Sequence, residues 1–170
     1  YIFLDKFKPL KFELFEWFPD PQIVFEFYLD GLSGVMMVLI STLSLVIQLF
    51  STSYMSKDEK YTKYFEYFNF FVFSMLLLVM SGNFLVMFFG WELVGLSSYL
   101  LISFWSEKKS ASKAGNKAFI LNRIGDFGFL IGLMMILNYF ETFNFLSIFE
   151  DTLKTRPENL DLMILFLLLG

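Results

Sequence analysis

The sequence predicts an all-α polytopic membrane protein, and three observations carry that expectation. Hydrophobic residues make up 56% of the chain and the mean hydropathy is +0.61, above what a soluble domain of 170 residues carries. The apolar residues are gathered into runs about as long as the ~20 residues that a bilayer-crossing helix needs. Most of the charged and turn-forming residues fall between those runs.

Residues 1–30 form an amphipathic or loop-like N-terminal segment, and residues 31–170 form a transmembrane helix bundle. In the first segment Lys11, Phe12, Leu14, Phe15, Trp17 and Phe18 can lay an amphipathic stretch along the membrane interface, ahead of Pro19-Asp20-Pro21. That stretch is expected to pack against the rim of a neighbouring subunit. The chain opens on Tyr1 rather than Met, with neither the apolar core nor the cleavage site of a signal peptide, which marks it as a portion of a longer or split polypeptide.

Four complete spans follow, at roughly 31–54, 65–80, 84–105 and 118–140, and a fifth begins at about residue 162 and has too few residues before Gly170 to cross. Lys57-Asp58-Glu59-Lys60 marks the first loop. Ser81-Gly82-Asn83 is the only break between the second and third spans, so those two helices form a hairpin. A soluble enzyme is excluded by these spans.

Loop charge sets the orientation. One side carries Lys57, Lys60, Lys63, Lys108, Lys109, Lys113 and Lys117 against Asp58, Glu59 and Glu107; the other carries Lys6, Lys8, Lys11, Lys154 and Arg156 against eleven carboxylates. The basic side, with loops 55–64 and 106–117, is the one expected to face the matrix or cytoplasm. Histidine and cysteine are both absent, which removes the usual ligands of iron–sulfur clusters, haem and zinc and leaves no redox centre to expect here. The 25 phenylalanines fit the codon bias of an A+T-rich organellar genome.

Glu92 is the residue that asks for a function. It lies about eight residues, roughly 12 Å, from the Phe84 end of an otherwise uncharged span, with no obvious cation of this chain at that depth. Desolvation opposes its charged form and a nearby cation favours it, so the group can be poised to bind and release a proton. The structural alternative is a permanently protonated acid hydrogen-bonded between helices. Gly90, Gly95, Ser97 and Ser98 let a neighbouring backbone or water approach. In the fourth span Arg123 and Asp126 are three residues apart, on one helix face, where they can pair or bracket a polar cavity; alternatively Arg123 snorkels back to the basic loop. Asn122 adds a polar contact, and Gly128 and Gly132 form a GxxxG packing signal.

Gly90-Trp91-Glu92-Leu93-Val94-Gly95-Leu96-Ser97-Ser98-Tyr99-Leu100-Leu101-Ile102, followed by Asn122-Arg123-Ile124-Gly125-Asp126 and preceded by Tyr28-Leu29-Asp30-Gly31-Leu32-Ser33, resembles the subunit-five family of mitochondrial NADH:ubiquinone oxidoreductase, respiratory complex I. The resemblance runs from Glu26 to Gly170. It implies an antiporter-like, proton-pumping subunit of the membrane arm in the mitochondrial inner membrane. There the glutamate of the Gly-Trp-Glu motif, here Glu92, pairs with a lysine on a later helix, and Arg123 and Asp126 support it. The family's first two helices and its lysine-bearing helices are missing from these residues.

The implied partners are other membrane-arm subunits, including the segment that carries those lysines, together with lipids. No cofactor is expected in this chain, flavin, iron–sulfur clusters and quinone being assigned to other subunits, and neither nucleic acid nor a phosphate-binding glycine loop is indicated. Two other readings remain: the large subunit of a multisubunit cation/proton antiporter or membrane-bound hydrogenase, and a structural membrane segment that transports nothing.

Overall fold

The computed structural model describes residues 8–19, 22–154 and 157–169. The expectations that rest on Tyr1, Asp5, Lys6, Asp20, Pro21, Arg156 and Gly170 lie outside the described residues.

The N-terminal segment, expected as an amphipathic or loop-like stretch, is built on paired strands among its described residues. It is a β-hairpin, with β1 (Leu10–Pro19) antiparallel to β2 (Gln22–Leu29) from Leu10 opposite Leu29 to Pro19 opposite Gln22. Aromatic and β-branched residues suit a pleated ribbon, and Phe15 stacks on Phe25 with ring centroids 5.2 Å apart. Register shifts at Glu13/Phe15 and Glu16/Phe18 interrupt the period of two that would have announced the strands in the sequence.

Among the described residues six helices follow: α1 (Gly31–Tyr54), α2 (Tyr61–Val79), α3 (Phe84–Ile102), α4 (Lys109–Phe140), α5 (Phe145–Lys154) and α6 (Leu160–Leu169). Asp30 caps α1 by accepting from the Ser33 amide, and Asn83 caps α3 by accepting from the Val86 amide. Among the described residues three helices, α1, α3 and α4, are long and apolar enough to cross a membrane. The remaining expected span, α2, has 19 residues, with Lys63 and Glu66 in its first two turns diluting its apolar character.

Several boundaries differ from those read off the sequence, and α2 begins at Tyr61, four residues before the expected start at 65. The third span ends at Ile102, because Ser103 to Lys108 turn back. The fourth helix starts at Lys109, so most of the expected loop 106–117 is helix; its lysines at 109, 113 and 117 recur every four residues along one face. Residues 145–154, expected as loop, form α5, with Ile148 buried and Lys154 in its last turn.

Each long helix packs on the next, and α6 packs on α4. The expected α2–α3 hairpin is present, and its seam is tight: a Cβ placed on Gly90 would lie 2.8 Å from the Leu78 Cα. The GxxxG face of α4 receives α6, where a Cβ on Gly132 would meet the Leu167 side chain at 2.9 Å. The principal apolar cluster joins Ile23 of β2, Phe129, Leu133 and Ile136 of α4, Phe143, and Ile148 of α5.

Candidate functional site

The α3–α4 seam has a regular antiparallel register. Phe88 stacks on Phe129 at 5.5 Å, Trp91 faces Asp126, Gly95 faces Asn122, and Tyr99 meets Phe119 at 5.3 Å. Trp91 and Glu92 are adjacent on α3, so their side chains leave the helix about 100° apart and straddle α4. Arg123 and Asp126, one turn apart on α4, share the face that meets them.

That geometry brings the three expected residues together. The Arg123 guanidinium is in ion-pair contact with Glu92 Oε2 and lies 3.5 Å from Asp126 Oδ2. The Trp91 indole N–H donates to Asp126 Oδ1 at 3.1 Å. Asp126 is buried, at 6% exposure. Arg123 also stands over the Phe119 ring, 4.8 Å from its centroid.

One expectation is corrected here. Glu92 does have a cation of this chain at its depth, because the α3–α4 register delivers Arg123 to it. Of the two readings left open for Arg123, its side chain takes the pairing one: although exposed, it contacts two carboxylates and an aromatic face. Trp91 is the neighbour that residue-by-residue reading left without a role; the signal was available, since an indole N–H within an apolar span requires an acceptor.

Beside the triad lies a cavity of about 420 Å³, lined by Met75 and Leu78 of α2, Trp91, Val94, Gly95 and Ser98 of α3, Asn122, Gly125 and Asp126 of α4, and Leu169 of α6. Its wall is mostly apolar, Leu121 included, and Gly95 and Ser98 sit where Asn122 and Asp126 give it a polar edge, as their small size allows. Gly90 and Ser97 serve packing: Gly90 admits the α2 backbone, and the fully buried Ser97 donates its hydroxyl to the Val94 carbonyl at 3.1 Å.

The charge balance decides what the site can do. One guanidinium facing two carboxylates leaves a net negative charge if both acids are ionised, and an uncompensated charge in hydrocarbon is expensive. The triad therefore calls for one proton or one further cation. Among the described residues no group of His, Cys, Asp and Glu is arranged to hold a metal ion.

Residues 81–170 match the family model described as NADH:quinone oxidoreductase/Mrp antiporter, transmembrane, which takes in α3, α4 and the whole triad. The chain belongs to this family. Residues 17–65 of this antiporter-family chain match a second model, NADH-ubiquinone oxidoreductase (complex I), chain 5 N-terminus. It is 43% identical over 155 residues to NADH-ubiquinone oxidoreductase chain 5 of Acanthamoeba castellanii, covering 85% of this chain and 23% of that protein. It is 37% identical over 160 residues to the Metridium senile chain 5, covering 93% and 27%. With NADH-quinone oxidoreductase subunit L of Neisseria meningitidis serogroup B it shares 49% identity over 116 residues, covering 67% and 17%.

The chain thus spans about a quarter or less of the length of these relatives. A subunit in the solved structure of the membrane-bound sulfane sulfur reductase, an archaeal respiratory membrane complex, superposes with a TM-score of 0.74 over 99% of this chain and 26% of its own. At 17% identity that likeness concerns the fold alone.

Proposed function

We propose that this chain is part of a proton-translocating membrane-arm subunit of NADH:ubiquinone oxidoreductase, in which Glu92, Arg123 and Asp126 handle the proton. The observation that carries the proposal is the contact of one Arg123 with two carboxylates, Glu92 midway along an apolar helix and Asp126 on the wall of a cavity whose other polar side chains are Ser98 and Asn122. Such a triad binds a proton when its cation is drawn away and gives it up when the cation returns.

The cation exchange has a natural source in the family resemblance: Glu92 alternates between Arg123 and a lysine on a later helix, outside these residues. Two unit charges about 4 Å apart interact by roughly 4 kcal/mol at an effective dielectric near 20. Making or breaking one such pair is therefore enough to load or unload a carboxylate. Redox chemistry in other subunits, which hold the flavin, iron–sulfur clusters and quinone, drives the exchange through the electrostatics of the arm. This chain takes part in the enzyme without a redox centre of its own. Its partners are the other membrane-arm subunits, in the mitochondrial inner membrane, with the turns at 55–60 and 103–108 on the matrix side by the positive-inside argument.

The test is Glu92→Gln in the intact assembly, with NADH oxidation and proton translocation measured together. Reduced protons per NADH is the expected result; an unchanged ratio sinks the proposal. NADH-oxidising subunits that co-purify with the chain would set it apart from a cation/proton antiporter of the same family.

A further inference from the structure

On the basic side of the bundle the two connecting turns are fastened to each other. The Trp105 indole N–H donates to Asp58 Oδ2 at 2.9 Å, the Lys60 amide donates to Asp58 Oδ1 at 2.8 Å, and the Lys60 ammonium pairs with Glu107. Two of that side's few carboxylates are thereby engaged. Among the described residues Lys57, Lys63, Lys108, Lys109, Lys113 and Lys117 form no ion pair, although Lys108 stands over the Trp105 ring and Lys63 over the Tyr67 ring.

The heights of these lysines fix what they can meet. Gly115 packs against Ser103 at the end of α3, so Lys113 and Lys117 flank the level at which the apolar span stops. Lys109 lies about 9 Å above Gly115 along the same helix, at ~1.5 Å per residue. Polar headgroups extend about 5–8 Å beyond the hydrocarbon on each face. The exposed stripe Lys109, Lys113, Lys117 therefore runs up through the headgroup layer, and Trp105 and Tyr61 mark the same level, where amphipathic rings collect. The first turn of α4 contains no acidic residue to neutralise it.

We propose that this stripe, with Lys57 and Lys63 beside it, binds the phosphate groups of acidic phospholipids. Unpaired ammonium groups at headgroup height complement an anionic leaflet, and the fastened turns hold their backbones in place so that little ordering is needed on binding. The assignment needs the chain to span a membrane but does not depend on proton translocation.

The experiment places the native assembly in nanodiscs of phosphatidylcholine alone or of phosphatidylcholine with phosphatidylglycerol, and maps lysine acetylation by mass spectrometry. Protection of Lys109, Lys113 and Lys117 only in the discs that contain phosphatidylglycerol, relieved by high salt, is the expected result. Equal labelling in both discs overturns the proposal, and equal protection in both means that a protein surface covers the stripe, which overturns it too. As a second measurement, K109Q/K113Q/K117Q is expected to hold phosphatidylglycerol about a hundredfold more weakly than the unaltered assembly. Unaltered retention by an assembled triple variant would count against the site whatever the proton yield.

Discussion

Asn144 donates its side-chain amide to Glu26 Oε1 at 2.6 Å, joining β2 to the junction between α4 and α5 across 118 residues of sequence. The other carboxylate oxygen of Glu26 meets the Lys11 ammonium at 2.8 Å, and its backbone carbonyl accepts from the Gly82 amide at 3.0 Å. Asn83 completes the knot, donating to the Val24 carbonyl at 2.8 Å while it caps α3, and Phe84 N–H donates to the Phe143 carbonyl. The hairpin thus ties together the start of the helix that carries Glu92 and the end of the helix that carries Arg123.

Asn144→Ala removes a donor from a buried carboxylate and is expected to cost about 1.5–3 kcal/mol. A lowered thermal midpoint of the assembled protein, measured by native-gel retention after heating, checks this. A midpoint equal to that of the unaltered protein would mean that Lys11 alone satisfies Glu26.

The triad predicts an ordering of variants. Arg123→Gln leaves Glu92 and Asp126 facing the apolar surroundings without their cation, whereas Glu92→Gln leaves Arg123 still paired with Asp126. The arginine variant is therefore expected to assemble less well than the glutamate variant. Adding Glu92→Gln to Arg123→Gln should restore part of the loss, with a coupling of about 0.5–3 kcal/mol between the two sites. The yield of assembled complex from the four members of the cycle measures it, and strict additivity would argue against the contact.

Much of this arrangement was legible in the sequence, because its signals are local. Glu92 declared itself by standing alone in an apolar run, and Arg123 and Asp126 by their spacing of three. That Arg123 is the cation of Glu92 was not legible, since it depends on the register of two helices whose cores carry no pattern that fixes it. The hairpin was hidden by its bulges, and α5 by the charges of Glu150, Asp151 and Lys154, which resemble a solvated loop until Phe145, Ile148 and Thr152 are seen to share one face. The lysine-rich start of α4 misled for the same reason: helix propensity tolerates lysine well, and only the apolar part of a helix announces itself as a span.

Two glycines should respond in opposite ways to the same substitution. At Gly90 an added Cβ would press on the Leu78 backbone at 2.8 Å, and backbone cannot swing aside as a side-chain tip can. Gly90→Ala is expected to cost about 1–3 kcal/mol from overpacking, exceeding the gain of about 1 kcal/mol that alanine brings to a helix. Gly34 has nothing within 4 Å of its Cβ position, so Gly34→Ala should be neutral or stabilising. Thermal midpoints of the two variants side by side check the contrast; a loss at both positions would point to the glycine backbone and not to the α2–α3 approach.

The fastened turns carry a pH dependence whose sign follows from Asp58. The Trp105 N–H bond first, then the Lys60 amide and the nearby lysine charges, hold the Asp58 carboxyl below its ordinary value of 3.8. A depressed carboxylate contributes stability that is present above the ordinary value and lost as the pH falls through the lower native one. The turns should therefore stay fastened at neutral pH and loosen only in strong acid, with Trp105 released from Asp58 as the carboxylate takes up its proton. Trp105→Phe removes the largest cause of the shift, so the midpoint of Asp58, followed by the carboxyl carbon shift of selectively labelled aspartate, should move up towards 3.8. On the alkaline side, the side-chain bond to Glu107 raises the Lys60 ammonium above its ordinary range, so Lys60 keeps its charge into mild alkali. A Trp105→Phe midpoint unchanged from that of the unaltered protein would assign the shift to the lysines around Asp58 and take away the indole's part in joining the two turns.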